Sequence, residues 1–249
     1  FSIPQAYESA EAMLADPSID IVYIAVPNDI HHHYIMAALA AGKHVLCEKA
    51  ITTSGDELAE ELALAKEKGL VLEEAMTIYN MPLYHRLKEI VASGKLGKLK
   101  MIQAPFGSYK DPDPQNRFFN PDLGGGALLD IGTYAVSFAR FFMSESPKVE
   151  FSSMKPFETG VDEQSVTILR NPADEMASVI LTFQAKMPKT GIVAFEEGYI
   201  TVEEYPRADK ATIHYLDGSN EFIETGDTTQ ALNYEIANMI KTIEGTSKG

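Results

Sequence analysis

Between Ile19 and about Ser93, short apolar runs alternate three times with helical patterns, the signature of β-α-β crossovers and so of a parallel sheet. The run Ile19–Val26 predicts a buried strand, broken by Pro27-Asn28-Asp29. The next helix runs to Ala41, with Gly42 where a left-handed cap is wanted. Lys43–Cys47 is the second strand. Ser54-Gly-Asp-Glu57 is a capping-box pattern and opens a helix that places Leu58, Leu62 and Ala65 on one face and stops at Lys68-Gly69. Leu70–Glu73 is the third strand. Pro82 begins a further helix with Leu83, Leu87 and Ile90 inward and Gly94 past its end.

From about Lys98 the period changes to two. Ser165–Leu169, Ala177–Phe183, Ile192–Phe195, Tyr199–Glu203 and Ala211–Leu216 read as strands, and the turns at Pro172-Ala-Asp, Gly198 and Asp217-Gly218 are short enough to demand antiparallel pairing. One helix interrupts them from about Gly126 to Met143, and another spans about Asn233 to Glu244. The expected architecture is half of a doubly wound α/β domain, residues 1–96, followed by an α+β domain with a mostly antiparallel sheet, residues 97–249. A (β/α)8 barrel would need the alternation to continue past Lys98, and it does not.

Composition narrows the function. A chain of 249 residues suits one large or two smaller domains. Its formal charge of −15 repels phosphate backbones and anionic lipid, which argues against nucleic acid and membrane partners. The longest apolar run, Ile19–Pro27, reaches only about half of the roughly 20 residues a membrane helix needs. The single cysteine, Cys47, excludes an internal disulfide and a cysteine-based zinc site and suits a reducing cytoplasm. The opening Phe-Ser-Ile-Pro has neither an initiator Met nor a basic-then-apolar leader, so residue 1 reads as an internal cut.

Ligands of open parallel sheets bind beyond the carboxyl ends of the strands. The three tips read Pro27-Asn28-Asp29-Ile30-His31, Glu48-Lys49-Ala50 and Glu73-Glu74-Ala75. Glu48-Lys49 follows an apolar strand directly and is either a functional pair or a weak surface ion pair. A second constellation is Leu123-Gly-Gly-Gly-Ala-Leu-Leu-Asp130-Ile-Gly-Thr-Tyr134, in which Asp130 and Tyr134 lie one helical turn apart on a shared face, while the glycines admit a close neighbour. It fails the dinucleotide fingerprint, because Leu stands at 129 and no strand directly precedes it. His31, His32 and His33 diverge by about 100° each at a helix start and are not expected to share a metal ion. Glu196-Glu197 and Glu203-Glu204 read as a solvated strand edge, and Met76, Met81 and Met101 as core filler.

Ala25–His31, Ala41–Lys49, Glu74-Ala-Met76 and Leu123–Tyr134, in this order and spacing, together resemble the Gfo/Idh/MocA family of NAD(P)-dependent oxidoreductases, and most closely its dihydrodiol and xylose dehydrogenase branch. The resemblance implies a Rossmann domain that binds NAD or NADP and a C-terminal open-sheet domain for substrate binding and homo-oligomer formation. It implies that Lys49 lies between nicotinamide and substrate, with Asp130 and Tyr134 as its catalytic partners. Pro27, Asn28, His31 and Glu48 would line the cofactor cleft. Arg117, Tyr79 and Tyr109 are the substrate-side candidates, and the substrate would be a sugar or cyclic polyol. Family members carry further strands, a glycine-rich phosphate turn and a ribose-reading acid ahead of the point matching Phe1, so the chain is expected to be an N-terminally truncated piece of the active protein. Ala50 stands where the family keeps proline, and a cis bond there is not expected, since it costs a non-proline residue about 3 kcal/mol.

Oxidising a secondary alcohol requires a base for the hydroxyl proton, and a free tyrosine, with pKa about 10, is too weak at neutral pH. A nearby ammonium from Lys49 would favour the phenolate of Tyr134, and Asp130 would orient lysine or substrate hydroxyls. Two other readings fit the same residues: a Schiff-base lyase using Lys49, and a non-catalytic sensor of cofactor or sugar.

Overall fold

Residues 3–245 are described by a computed structural model. They form two compact units: one holds the chain up to Ala75 and takes in residues from Ile236 onward, and the other is Met76–Glu235. The break falls ahead of the sequence-drawn line at residue 96, because the helix opened by Pro82 packs with the second unit.

The first unit begins with α1 (Ala10–Leu14), capped by the Ser9 hydroxyl. Then follow β1 (Ile21–Ile24), a 3-10 turn over Asn28–Ile30, α2 (His31–Ala40), β2 (His44–Glu48), α3 (Gly55–Lys68) and β3 (Leu72–Ala75). The strands pair in the order β1-β2-β3, all parallel. Local chemistry sets the limits of the helices: the Ser54 hydroxyl accepts from the Glu57 N–H, and Gly42 (φ +78°) and Gly69 (φ +65°) take the left-handed conformation past α2 and α3. One face of the sheet buries Val22, Ile24, Val45 and Cys47 against Ile35, Leu39 and Ala65 of the helices. The other buries Leu46 and Ala75 against Met239, which comes from the last helix of the chain. Leu62, expected on the inner face of α3, is half exposed, and Glu61 takes the buried position beside Ala65. An apolar stripe read at helical spacing does not say which edge of the stripe the neighbours cover.

The second unit continues with α4 (Thr77–Asn80), α5 (Pro82–Ala92) and β4 (Leu99–Gly107), then α6 (Thr133–Phe142), β5 (Lys148–Pro156), β6 (Asp162–Arg170) and β7 (Met176–Thr182). After these come β8 (Gly191–Phe195), β9 (Gly198–Val202), β10 (Lys210–Tyr215), β11 (Asn220–Glu224) and α7 (Ala231–Ile243), whose second half belongs to the first unit. The eight strands run in the order β11-β10-β9-β8-β4-β7-β6-β5. Every neighbouring pair is antiparallel except β4 with β7, which a crossover through α6 makes parallel. The inner face packs on α5 and α6 through Leu83, Leu87, Phe138 and Phe142, together with Ile102, Val179, Val193 and Ile200. Gly191 lets the Phe138 ring lie against the sheet: a Cβ there would fall 2.2 Å from Phe138 Cζ.

Two smaller expectations are corrected. Met76 and Met81 are buried, but Met101 is 41% exposed, because the β4 strand turns it to the open face of the sheet. The paired glutamates do not mark a sheet edge. Glu196-Glu197 sits at the β8–β9 turn and Glu203-Glu204 just after β9, in the middle of the strand order, where the Glu196 carboxylate accepts from the Lys98 N–H and pairs with Lys100. The sheet's order, which decides what is an edge, is not written in any one strand.

Candidate active site

In the first unit the tips of β1, β2 and β3 stand side by side at the carboxyl end of the sheet, as Ile24 pairs with Cys47 and Glu48 with Ala75. Pro27 is exposed and Asn28 half-buried after β1. Glu48 and Lys49, both half-buried, end the central strand. The Glu48 carboxylate accepts from the Tyr23 hydroxyl, and its other oxygen accepts from the Lys49 N–H at 3.3 Å. So the five first-unit residues singled out in the sequence, Pro27, Asn28, His31, Glu48 and Lys49, gather at one rim.

His31 belongs to this cluster from beneath. Its ring is fully buried, with Nδ1 2.9 Å from the Ala50 carbonyl oxygen and 3.2 Å from that of Ile51, and Nε2 2.9 Å from that of Val26. The imidazole thus sits between the loop after β1 and the loop after β2, close to carbonyls of both. Glu74 ties the same loop from the other side: its carboxylate accepts from the Ile51 N–H at 2.9 Å. Burial raises the Glu74 carboxyl above its ordinary value, opposed by the Ile51 N–H and by the charge of Lys49. The Lys49–Ala50 peptide is cis, contrary to the expectation drawn from the missing proline. Partners on α2 and β3 hold the loop's path on both sides of this bond, and residue type alone reveals none of them.

The other two histidines of the triplet part company. His32 Nδ1 lies 2.9 Å from the buried Glu61 carboxylate, and His33 faces outward against Tyr34. Cys47 is buried in the core, and burial pushes its thiol up, which makes it a poor nucleophile.

The second unit carries the other constellation. Its helix does not begin as a regular α-helix: Leu128–Gly132 is a π-turn, and α6 takes over at Thr133, so Asp130 lies in the irregular turn and Tyr134 in the first turn of α6. Such π-turns are frequent at functional sites. Arg117 Nη2 lies 3.7 Å from Asp130 Oδ1, and the guanidinium also covers the Phe118 ring. Arg117 is two-thirds exposed, so this pair contributes little to stability and leaves the guanidinium available to a ligand. Tyr134 is half-buried and packs against Phe106. Tyr79 packs against Phe141, while Tyr109 is 61% exposed. Arg117 and Asp130 form one pair, Tyr134 follows on the same helical rod, and Tyr79 and Tyr109 stand on other segments of the unit. Asp162, which no motif announced, accepts from the Leu128 N–H at 2.8 Å and touches the glycine turn.

A Rossmann-type parallel sheet followed by an open, mostly antiparallel sheet is the plan of a class of nucleotide-dependent oxidoreductases. Residues 1–76 match the model of the oxidoreductase family with an NAD-binding Rossmann fold, and residues 84–201 match the GFO/IDH/MocA C-terminal domain. The chain is 33% identical over 246 residues to D-xylose 1-dehydrogenase (NADP(+)) 2 of Haloferax volcanii, covering 97% of this chain and 75% of that one. It is 30% identical to trans-1,2-dihydrobenzene-1,2-diol dehydrogenase of Xenopus laevis, covering 94% and 70%. Among solved structures, a 3-ketoreductase of Actinomadura kijaniata in complex with NADP and TDP-benzene superposes with a TM-score of 0.83 at 23% identity, covering 98% and 76%. A levoglucosan dehydrogenase in complex with NADH and levoglucosan does so with 0.83 at 22%, covering 97% and 75%. The chain belongs to the Gfo/Idh/MocA oxidoreductase family. Its cofactor is accordingly NAD(P), and the rim offers polar groups of the kind such a molecule needs, the Asn28 amide with a carboxylate and an ammonium at the end of the central strand. Among the described residues no helix is long and apolar enough to cross a membrane.

Proposed function

We propose that this chain is the greater part of a dehydrogenase that oxidises a secondary hydroxyl of a sugar or cyclic polyol, or reduces the matching ketone. The observation that carries the reading is Lys49, placed at the carboxyl end of the central parallel strand in a loop that His31 and Glu74 fix from two sides. The xylose and dihydrodiol dehydrogenases it resembles supply the substrate class.

The bound nicotinamide supplies the hydride chemistry. In the direction of oxidation, Tyr134 takes the hydroxyl proton. The family resemblance assigns the Lys49 ammonium to the same proton transfer. Asp130 accepts from a neighbouring substrate hydroxyl and holds Arg117 over the same group. Arg117, Tyr109 and Tyr79 serve the outer hydroxyls. Pro27, Asn28, His31 and Glu48 shape the cofactor side, His31 through the two loops it joins. Under this reading the unit that ends at Ala75 serves the cofactor, and Met76–Glu235 carries the substrate-side residues.

The open face of the large sheet supports self-association. Met101, Ala194, Tyr199 and His214 line up across four strands, with the Tyr199 and His214 rings stacked at 4.4 Å, and Phe222 is exposed on β11. We assign this face to a homo-oligomer. A Tyr199→Glu variant should shift the light-scattering mass toward the monomer. The single buried cysteine agrees with a cytoplasmic protein.

The deciding experiment is reduction of NAD+ or NADP+, followed by absorbance, with D-xylose, levoglucosan and a trans-dihydrodiol as substrates. Tyr134→Phe should lower kcat by about 10²- to 10⁴-fold while NADPH still binds. A variant with unimpaired turnover overturns the assignment. The Lys49→Ala and Tyr134→Phe double variant should lose little more than either single one, since both groups serve one step.

A further inference from the structure

The glycine turn ahead of Asp130 is held from two sides, by the segment that precedes it and by a neighbouring hairpin. Gly125 and Gly126 donate to the carbonyls of Asn120 and Phe118, each at 2.9 Å. On the far side, the hairpin between β5 and β6 closes over the segment: Phe157 packs on Phe119 with centroids 4.3 Å apart, and the Thr159 hydroxyl donates to the Phe119 carbonyl. Asp162, the first residue of β6, completes the embrace. Its Oδ2 accepts from the Leu128 N–H, the first residue of the π-turn, at 2.8 Å. Its Oδ1 lies where a side chain on Gly126 would be, 2.4 Å from the ideal Cβ position, and Gly126 has φ +120°. The third glycine is therefore fixed twice, by its backbone angle and by the carboxylate against it.

Asp130 follows Leu128 by two residues and Tyr134 by six, all on one continuous helical rod. A displacement at the Leu128 amide is thus carried into both. We propose that Asp162 is a positioning residue: its carboxylate sets the start of the π-turn and, through it, the placement of Asp130 and Tyr134. This rests on the reading that those two serve the reaction. Asp162 has no role in moving a proton. It acts through the backbone, and the glycine at 126 exists to let it approach.

The test compares Asp162→Ala with Asp162→Asn in the intact enzyme. The Asn amide oxygen can still accept from Leu128, so Asn should retain kcat near wild type. Ala should lower kcat by about 10- to 100-fold, the scale of a misplacement near 1 Å, with KM little changed. Hydrogen exchange of peptides spanning 126–134 should quicken in Ala and not in Asn. Gly126→Ala, whose methyl would push the carboxylate away, should reproduce the Ala phenotype and stands in for it should Asp162→Ala not fold. Unaltered exchange over 126–134 overturns the proposal whatever the activity. A loss in KM alone, or an Asn variant as impaired as Ala, overturns it as well. If the wild type shows no turnover, the dehydrogenase reading falls, and the exchange measurement by itself decides whether Asp162 holds the turn.

Discussion

Replacing His31 by alanine tests the claim that one imidazole joins the two loops of the cofactor rim. The ring is fully buried, and its nitrogens face the carbonyls of Val26 and Ala50 at 2.9 Å each. A buried hydrogen bond contributes about 0.5–1.5 kcal/mol net, and a carbonyl left without a partner costs about 1–3 kcal/mol more. The emptied space adds a cavity cost, in part relieved if water enters and serves both carbonyls. The sum is a loss of about 2–4 kcal/mol. With a urea slope of about 2 kcal/mol per molar, the unfolding midpoint should fall by about 1–2 M, read by circular dichroism because the chain has no tryptophan to report fluorescence. NADPH affinity should weaken alongside, since the loop holding Lys49 loses its tether. A loss under about 1 kcal/mol with unchanged NADPH affinity would falsify the brace and leave His31 an ordinary core residue.

Three further outcomes follow from the same packing. Glu61 is fully buried, with one oxygen on His32 and, among the described residues, no partner for the other, and burial raises its carboxyl. An acid with a raised native value contributes stability that is complete below its unfolded value, near pH 4.3, and is lost as pH rises through the native one. Glu61→Leu should therefore raise stability by about 1–3 kcal/mol at pH 7 and less at pH 5, and a less stable variant at pH 7 would count against the account. Gly191→Ala should cost about 1–3 kcal/mol, since the methyl would press into the Phe138 ring, and an unshifted melting temperature would contradict that contact. Borohydride treatment with a ketose should leave no adduct on Lys49, and a mass increase at that residue would favour carbinolamine chemistry over hydride transfer.

Much of the first unit was legible because its signals are local. The apolar runs, the Ser54 cap and the left-handed glycines at 42 and 69 each act within a few residues, and each lies where the pattern put it. The strands β4, β5 and β11 were harder. β5 is exposed along its whole length, so its alternation carries no burial signal, and β11 buries only Ile223. The parallel join of β4 to β7 depends on a crossover that no turn residue announces. Among the candidate residues, Lys49, Asp130 and Tyr134 stood out by position at a strand tip or on a helix face. Glu74 could have been found by the same logic, since it belongs to the third tip. Asp162 could not: it is one acid on an acidic chain, and its meaning comes from a contact with Leu128, thirty-four residues earlier.

The last helix has a consequence for how the protein is made. Its second half supplies Met239, which covers Leu46 and Ala75 on one side of the three-stranded sheet. During vectorial synthesis those strands emerge first and then wait for the whole of the large sheet to be translated before that side is closed. The nascent chain thus carries an oily surface through most of its elongation, a natural point for chaperone capture. A stop codon anywhere after Glu224 but before Met239 would spare every strand and still leave the first unit unfinished.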